Sequence, residues 1–275
     1  MKNNNVKFKT RFFSLLSCVF TLFALSFSLV HAQDITTGLV GHWKFDEGSG
    51  TSATDSSGNN NNGTLTNGPT RVAGKIGQAL EFDGVDDYIN VVAPNGIPDH
   101  NGNKTYSAWI KYSSLPTDNV IMMSRNTCCS SGIYIGVNST VLIVSKIGLD
   151  GGANTIVSTT DRPNINQWHH ILYTYDGTTH RLYVDGAEIA NSTTAPDTGT
   201  PNIVHIGSWD GMQSFWLGLI DEVRIYNRAL TAADISALYA YTGGPPPPSD
   251  TQAPTTPTNL SATAVSSSQI NLSWT

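Results

Sequence analysis

The polar stretch from Asp55 to Gly63 contains the residue types that point most directly to chemistry in this 275-residue chain. It carries one carboxylate, four asparagine amides and two serine hydroxyls, and it has no apolar side chain. Carboxylate and amide oxygens are the ligands that a hard cation such as Ca²⁺ takes in proteins. The same residue types also form turns, because Asx side chains hydrogen-bond their own backbone and tolerate positive φ. The stretch therefore indicates either a cation-binding loop or a turn.

A second acidic group, Asp83, Asp86 and Asp87, lies between two runs of strand-forming residues. Three carboxylates so close in sequence could also hold a cation. Asp-Gly and Asp-Asp pairs at the end of a hairpin usually form only a turn. We therefore treat this group as the second candidate for a cation site.

Trp209 and Asp210 stand in a short polar segment, where a core tryptophan is not expected. The face of an indole ring can stack on a pyranose ring, which makes these residues the candidates for carbohydrate binding. The alternative is that Trp209 covers one end of the fold.

Two adjacent cysteines, Cys128 and Cys129, are the ones that follow the N-terminal segment. In an oxidising compartment they could close a vicinal disulfide bond. Free thiols or an intermolecular bridge are the alternatives. A zinc site is not expected, because a structural zinc site needs four ligands and no second cysteine pair follows.

The acids and histidines of the chain do not form a recognisable catalytic pattern. A glycosidase of the sandwich type needs two carboxylates close together on one strand face. Glu81 and Asp83 come nearest, but no second glutamate follows them. The adjacent His169 and His170 would project to opposite faces of a strand, and no Gly-x-Ser-x-Gly motif occurs. We therefore expect no catalytic residues in this chain.

The stretch from Trp168 to Ala190 predicts the centre of the fold that positions these groups. Two strand-like runs flank Asp176, and a third follows Asp185 and Gly186, which is typical of a three-stranded meander. Similar runs recur at short intervals on both sides, so we predict an all-β sandwich of two antiparallel sheets. A capping box at Thr231 and Asp234 predicts a short final helix. The predicted strands outside the meander are 39–45, 78–83, 88–92, 105–112, 120–124, 133–137, 141–147, 155–158, 203–207 and 215–226.

The first 32 residues have the pattern of a secretion signal. Four basic residues precede an apolar run from Phe12 to Val30, and Ala32 ends a small-residue cleavage pattern. An uncleaved membrane anchor is the alternative. Removing 1–32 leaves 11 basic residues against 21 acidic ones. We therefore predict an acidic protein that is secreted or held at the cell surface, with no nucleic acid partner and no membrane insertion of the mature chain.

The composition changes sharply after residue 243. A proline-rich segment, 244–253, predicts an extended linker. The following 254–275 resembles the first two strands of a fibronectin type III domain, with Leu260, Ile270, Leu272 and Trp274 at core positions. These 22 residues are too few to bury the core of such a domain, so we expect further domains of a longer polypeptide to follow.

Five motifs, in this order, resemble those of LamG-like, concanavalin A-like jelly-roll domains of secreted bacterial multidomain proteins. The resemblance covers residues 36–241, within a predicted domain of 33–243, and implies that the first and last strands pair. It is specific for the fold and weak for function, because one fold hosts many kinds of site. The motifs are 39–50 (LVGHWKFDEGSG), 55–63, 74–89 (GKIGQALEFDGVDDYI), 168–186 and 218–229 (GLIDEVRIYNRA).

The resemblance also implies a structural calcium ion, since domains of this kind often carry one. It places the candidate ligands at Asp55, Asn59 and Asn61 of the polar stretch, with backbone carbonyls, and at Asp221 of the last strand. Such domains often act as carbohydrate-binding or adhesive modules.

We therefore expect a non-catalytic, calcium-stabilised module that binds an extracellular polysaccharide or a cell-surface glycan. Two alternatives stay open at this point. The chain could be an accessory domain of a secreted polysaccharide-degrading enzyme, or a structural spacer without a ligand.

Overall fold

The computed structural model describes residues 34–114, 118–126, 131–147, 153–196, 199–244, 261–266 and 269–273. Antiparallel strands dominate it, and one short helix follows the long strand β16. Among the described residues, no helix is long and apolar enough to cross a membrane. The elements are β1 Leu39–Trp43, β2 Ser52–Ala53, β3 Gly63–Thr66, β4 Thr70–Ala73, β5 Gln78–Asp83, β6 Tyr88–Val92, β7 Lys104–Lys111, β8 Asp118–Arg125, β9 Gly132–Asn138, β10 Leu142–Ile147, β11 Ala153–Thr159, β12 His169–Tyr175, β13 His180–Val184, β14 Ala187–Ser192, β15 Ile203–Ile206, β16 Leu217–Tyr226, α1 Ala232–Tyr239, β17 Ser261–Ser266 and β18 Gln269–Ser273.

Two eight-stranded sheets form the sandwich. The front sheet runs in the order β14-β13-β12-β7-β16-β5-β4, and β1 also pairs with β16. The back sheet runs in the order β11-β10-β9-β8-β15-β6-β3-β2. Alternate residues of both sheets meet in one apolar core, in which Trp43, Phe82, Ile110, Ile121 and Ile206 are buried. This confirms the all-β prediction of two antiparallel sheets.

The first and last strands of the domain pair with each other, as the family resemblance implies. β16 is long enough to pair with β5 through its first half and with β1 through its second half. Its pairing with β7 is interrupted between Asp221 and Arg224, where Glu222 adopts a positive φ of 51°. The interruption is a β-bulge, which redirects the side chains around it.

Each sheet also has an outer face that the chain partly covers. On the front sheet, Leu172 and Tyr226 pack against Ile235 and Leu238 of α1. On the back sheet, Trp209 packs against a smaller apolar cluster. Every residue of β12 is buried, so both faces of this strand are covered.

Most of the predicted strands are present, with ends that differ by one or two residues. The first strand ends earlier than predicted, at Trp43, because Phe45 adopts a positive φ of 62°. The short strands β2, β3 and β4 were not predicted, because strands of two to four residues carry too little alternation to recognise.

Several sequence predictions fall wholly or partly outside the described residues: the signal segment 1–32, the linker 244–253, the segment 254–275 with its Leu260 and Trp274, and the pair Cys128 and Cys129. β17 and β18 form an antiparallel hairpin of their own. Its assignment to a fibronectin type III domain stays a prediction.

Candidate functional site

A small apolar cluster lies on the outer face of the back sheet. Val120 and Met123 of β8 and Tyr134 of β9 are buried there, while their neighbours Ile121 and Ile133 point into the core. The half-buried Trp209 packs on this cluster, with its ring centroid 4.6 Å from that of Tyr134 and an interplanar angle of 47°. The structure therefore places the predicted Trp209 beside a second aromatic ring on a sheet face.

The loop that carries Trp209 is held by its own hydrogen bonds. The Trp209 N–H donates to the Gln213 carbonyl oxygen at 3.2 Å. Asp210 Oδ1 accepts from the N–H groups of Met212 at 2.8 Å and Gln213 at 3.1 Å. One oxygen of Asp210 thus closes the turn that positions Trp209. Asp210, the other residue predicted to bind carbohydrate, therefore supports Trp209 in this structure.

Polar groups border this cluster on the same sheet face. His205 of β15 is opposite Asn90 of β6 on one side and Met123 on the other. Burial, and then the nearby Arg125 charge, lower the pKa of His205 to about 4, although a hydrogen bond with the Trp209 backbone opposes the shift. Among the described residues, His205 Nδ1 and Asn90 Oδ1 are buried without a hydrogen-bond partner. Both atoms are buried from solvent in this structure, so a water molecule or a ligand hydroxyl group would reach them only if the side chains that cover them moved.

Asp55, in the predicted cation loop, is buried and its carboxylate is fully engaged. Its Oδ1 accepts from the N–H groups of His42 at 2.9 Å and Ser57 at 2.8 Å. Its Oδ2 accepts from the Ser57 hydroxyl at 2.8 Å and from the Asn61 N–H at 2.9 Å. Four donors fill the usual capacity of a carboxylate.

Asn59 and Asn61 lie in the same loop and tie it to neighbouring backbone. Asn61 Nδ2 donates to the carbonyl oxygens of Val40 at 2.7 Å and Asn95 at 2.9 Å, and its Oδ1 accepts from the Asn95 N–H at 2.6 Å. Asn59 Nδ2 donates to the Leu39 carbonyl oxygen at 3.4 Å. The structure brings Asp55, Asn59 and Asn61 together as an anchored turn.

Asp221, the fourth predicted ligand, makes its contact with a different segment, the turn between β4 and β5. Its Oδ2 accepts from the Ile76 N–H at 2.9 Å, while its Oδ1 is buried without a hydrogen-bond partner among the described residues. Burial raises the pKa of Asp221 to about 7. At the other end of the same turn, Asp46 Oδ1 accepts from the Gln78 N–H at 2.8 Å. Two carboxylates therefore flank the 74–78 turn.

The second acidic group, Asp83, Asp86 and Asp87, does assemble. One carboxylate oxygen of each lies within 4.8 Å of the others. Asp83 Oδ1 accepts from the N–H groups of Val85 and Asp86, and Asp87 Oδ2 accepts from the Asp83 N–H at 3.0 Å. Burial raises the pKa of Asp87. These bonds are those of a hairpin turn, which is the alternative that the sequence left open.

Sequence reasoning missed one polar cluster on the outer face of the front sheet. His42 Nε2 and Arg224 each contact Glu222 Oε2, at 2.7 Å and 2.6 Å, and all three side chains are buried. The alternation of β16 places Arg224 on this face, and that part could be read from the sequence. Glu222 lies two residues earlier, so the same alternation places it on this face as well. The bulge, which lets both Ile220 and Val223 enter the core, has no sequence signal, because it depends on how β16 is shared between β1, β5 and β7.

Solved structures with this fold include a domain of an arabinanase and the binding domains of toxins. Domain 4 of AbnA, a GH43 extracellular arabinanase from Geobacillus stearothermophilus, was solved in complex with arabinotriose; it is 25% identical, with a TM-score of 0.60, over 73% of this chain and 98% of that domain. The binding domain of Paraclostridial Mosquitocidal Protein 1 is 19% identical, with a TM-score of 0.59, over 74% of this chain and 52% of that one. The binding domain of botulinum neurotoxin serotype G is 17% identical, with a TM-score of 0.58, over 74% of this chain and 50% of that one. The chain thus spans about half the length of these two toxin domains, and they share its fold.

A family model matches more than half of the chain. It covers residues 83–236, from the end of β5 to α1, and it is the Laminin_G_3 model of the concanavalin A-like lectin/glucanases superfamily. The match includes most strands of both sheets and the loop that carries Trp209. This chain belongs to the Laminin_G_3 family of the concanavalin A-like lectin/glucanases superfamily.

Proposed function

We propose that this chain is a non-catalytic, extracellular carbohydrate-binding module that uses the outer face of its back sheet. The observation that carries this proposal is Trp209, which lies half-buried beside Tyr134 on a sheet face, in a loop closed by its own hydrogen bonds. A tryptophan fixed in this way loses little conformational freedom when a sugar ring stacks on it. The partner is an extracellular polysaccharide or a cell-surface glycan.

The polar border of the cluster suits a neutral sugar. A sugar presents apolar C–H faces for stacking and hydroxyl groups for hydrogen bonds, and binding sites combine apolar walls with a few polar groups in the same way. With its lowered pKa, His205 is an uncharged imidazole near neutral pH, so it can donate to or accept from a hydroxyl group.

The complex of the arabinanase domain with arabinotriose supports a role beside a polysaccharide-degrading enzyme. It makes arabino-oligosaccharides the first ligands to test, within a wider panel of plant and bacterial glycans. It also favours the second candidate function, an accessory domain whose catalytic partner is another domain of the same polypeptide. Both functions require the same binding surface.

A substitution at Trp209 tests the binding surface. Trp209→Ala in the full chain should abolish or weaken glycan binding by about tenfold or more in calorimetric titration, because stacking on an aromatic ring is lost. Tyr239→Ala is the matched control, since Tyr239 is an exposed aromatic residue on α1, which covers the front sheet. Equal affinity of the wild-type and Trp209→Ala chains would contradict the proposal.

We propose in addition that the module holds a structural calcium ion, as the family resemblance implies, and that this ion fits Asp221 better than the Asp55 loop. A buried carboxylate oxygen without a hydrogen-bond partner is costly, and a cation would remove that cost. The four donors to Asp55 leave it little capacity for a metal ion. We therefore propose Asp221, with Asp46 on the other side of the 74–78 turn, as the carboxylates that hold calcium, and the ion would supply structural stability.

Thermal unfolding with and without calcium tests this assignment. At a free calcium concentration about 100 times the dissociation constant, binding to the folded state adds about 2.7 kcal/mol. For a domain of this size each kcal/mol raises Tm by roughly 2–4 °C. Asp221→Asn should lose this rise, and in chelator it should be at least as stable as the wild type because it buries no charge.

Asp83→Asn is the control that separates the two acidic sites. It should keep the full calcium response if Asp221 is the ligand. A response that is lost in Asp83→Asn and kept in Asp221→Asn would move the site to the Asp83, Asp86 and Asp87 group. Wild-type protein that gains no stability in calcium would contradict the metal proposal altogether.

A further inference from the structure

A pocket of about 190 Å³ opens on the front sheet, away from the Trp209 surface. β1 contributes Leu39, His42 and the adjoining Lys44, β16 contributes Arg224, and Tyr241 follows α1. The pocket combines an apolar wall at Leu39, an aromatic wall at Tyr241 and polar groups from His42, Lys44 and Arg224. Pockets that bind small molecules combine apolar walls with a few polar groups in this way.

The charged residues that line this pocket, taken together with Glu222 beside them, carry a net positive charge. Arg224 is paired with Glu222 through a 2.6 Å contact, which offsets one positive charge with one negative charge. His42 is uncharged near neutral pH, because burial lowers its pKa; the Glu222 hydrogen bond opposes this shift and the charges of Arg224 and Lys44 reinforce it. Lys44 is therefore the cation whose charge is not offset within this group. A lining of this kind favours a ligand with a single negative charge.

Glu222 holds the pocket in a fixed arrangement. Its positive φ of 51° is uncommon for a buried residue other than glycine, and it lies at the bulge of β16. Its carboxylate contacts both His42 Nε2 and Arg224. Since Nε2 donates to Glu222, His42 Nδ1 is left as a hydrogen-bond acceptor. Strained backbone of this kind persists only where surrounding contacts hold it in place, and it is found often at binding sites.

The Arg224 side chain is also held by a contact with Tyr241, the aromatic wall of the pocket. Its guanidinium carbon lies 4.6 Å from the centroid of the Tyr241 ring. Stacked between an aromatic ring and a carboxylate, the guanidinium has little freedom to move, so a ligand would meet a preorganised donor. The ring edge of Tyr241 and the side chain of Leu39 offer apolar contact beside it.

We propose that this pocket is a second ligand site, which binds a single sugar unit that carries a carboxylate, such as a uronic acid at the end of an acidic polysaccharide. Lys44 and Arg224 recognise the carboxylate. His42 Nδ1 accepts from a sugar hydroxyl group, and Tyr241 packs against the ring. The site is independent of the Trp209 surface, since it lies on the opposite sheet and shares no residue with it.

Calorimetric titration of the full chain with glucuronate, glucose and acetate tests the site. Glucuronate should bind, and both glucose, which lacks the carboxylate, and acetate, which lacks the sugar ring, should bind at least about tenfold more weakly. Acetate that binds as tightly as glucuronate would overturn the recognition of a sugar, and glucose that binds as tightly would overturn the recognition of the charge. Absence of glucuronate binding would overturn the site itself.

Two variants from separate elements localise the binding. Lys44→Met and Tyr241→Ala should each weaken glucuronate binding by about tenfold, while their circular dichroism spectra stay native. Lys111→Met, which removes a lysine from β7 of the same sheet, and Trp209→Ala should leave glucuronate binding unchanged. Loss of glucuronate binding in Trp209→Ala, together with normal binding in Lys44→Met, would assign the ligand to the back sheet and overturn this proposal while leaving the proposed function intact.

Discussion

At the scale of single residues, Asp55 organises a polar loop through its hydrogen bonds. Its two oxygens accept four hydrogen bonds, three of which come from inside the same loop. Asp221 is the opposite case, with one oxygen that is buried and unpaired among the described residues. In the sequence, Asp55 precedes a polar turn-like stretch and Asp221 lies in a strand-like run, and neither context shows whether the carboxylate is paired. Only the hydrogen-bond donors that the fold brings to each carboxylate distinguish Asp55, which holds a turn, from Asp221, which is a candidate metal ligand.

Replacing Asp55 tests that distinction. Asp55→Ala leaves buried donors unpaired, including the His42 N–H and the Asn61 N–H, so we expect the free energy of unfolding to fall by about 2–4 kcal/mol. Denaturant titrations in chelator and in calcium should give the same loss, because the role is to hold the turn. A loss that is confined to the calcium samples would make Asp55 a ligand, as the family resemblance implied.

His170 predicts how stability responds to acid. Burial, and then the charge of Arg224, lower its pKa from 6.5 to about 3. As the pH falls from 6.5 to about 3, the unfolded chain takes up a proton at this site and the folded chain does not. The free energy of unfolding therefore falls over this range, by at most about 1.4 kcal/mol per pH unit for one proton.

A variant isolates this contribution to the pH profile. His170→Asn removes the titrating group, so its free energy of unfolding should fall less steeply than that of the wild type between pH 6.5 and about 3. Chemical denaturation at a series of pH values measures both slopes. Parallel slopes would mean that His170 becomes protonated in the folded state as well, and would contradict the burial argument.

At the scale of elements, α1 shows how far local sequence specifies structure. The capping box forms as the sequence indicated: the Thr231 hydroxyl accepts from the Asp234 N–H at 3.2 Å, and Asp234 Oδ2 accepts from the Thr231 N–H at 2.8 Å. Asp234 replaces the usual glutamate, and it also pairs with Arg228 at 2.6 Å. The helix then buries Ile235 and Leu238 against the front sheet.

Removing the cap should loosen this cover. Thr231→Ala is expected to cost about 1 kcal/mol, since the Asp234 N–H loses its acceptor. Thermal unfolding measures the loss, with Thr193→Ala as the control at an exposed threonine outside the strands and helix. Equal Tm values for the two variants would show that the capping bonds contribute nothing to the stability of the domain.

Strands and their pairing differ in how well the sequence specifies them. β5 and β6 were predicted to the residue, because each has clear alternation and a turn signal beside it. β3 was missed, since its four residues include Gly63, whose missing side chain makes room for Ile89. The bulge at Glu222 arises from competition among three partner strands for β16. Such competition depends on the tertiary structure, so no local sequence pattern predicts it.

At the scale of the whole molecule, the order of motifs specified the fold and left the site open. The pairing of the first and last strands, implied by the family resemblance, is present between β1 and β16. The candidate ligand surfaces lie on the two outer faces of the sandwich, and residues far apart in sequence build them. Tyr134 and Trp209 meet on one face, and His42 and Arg224 meet on the other. Contacts of this kind follow from topology, which is why sequence reasoning found Trp209 but not its neighbours.

The central claim is that a glycan binds at Trp209, and the most direct test is to follow the tryptophan indole N–H resonances while a glycan from the panel is added. The account predicts that the Trp209 resonance moves in a saturable way. It also predicts that the resonances of Trp43 and Trp216 stay in place, because both rings are fully buried in the core. If no glycan moves Trp209, or if the saturable shift falls on Trp109 beneath α1, the claim is contradicted.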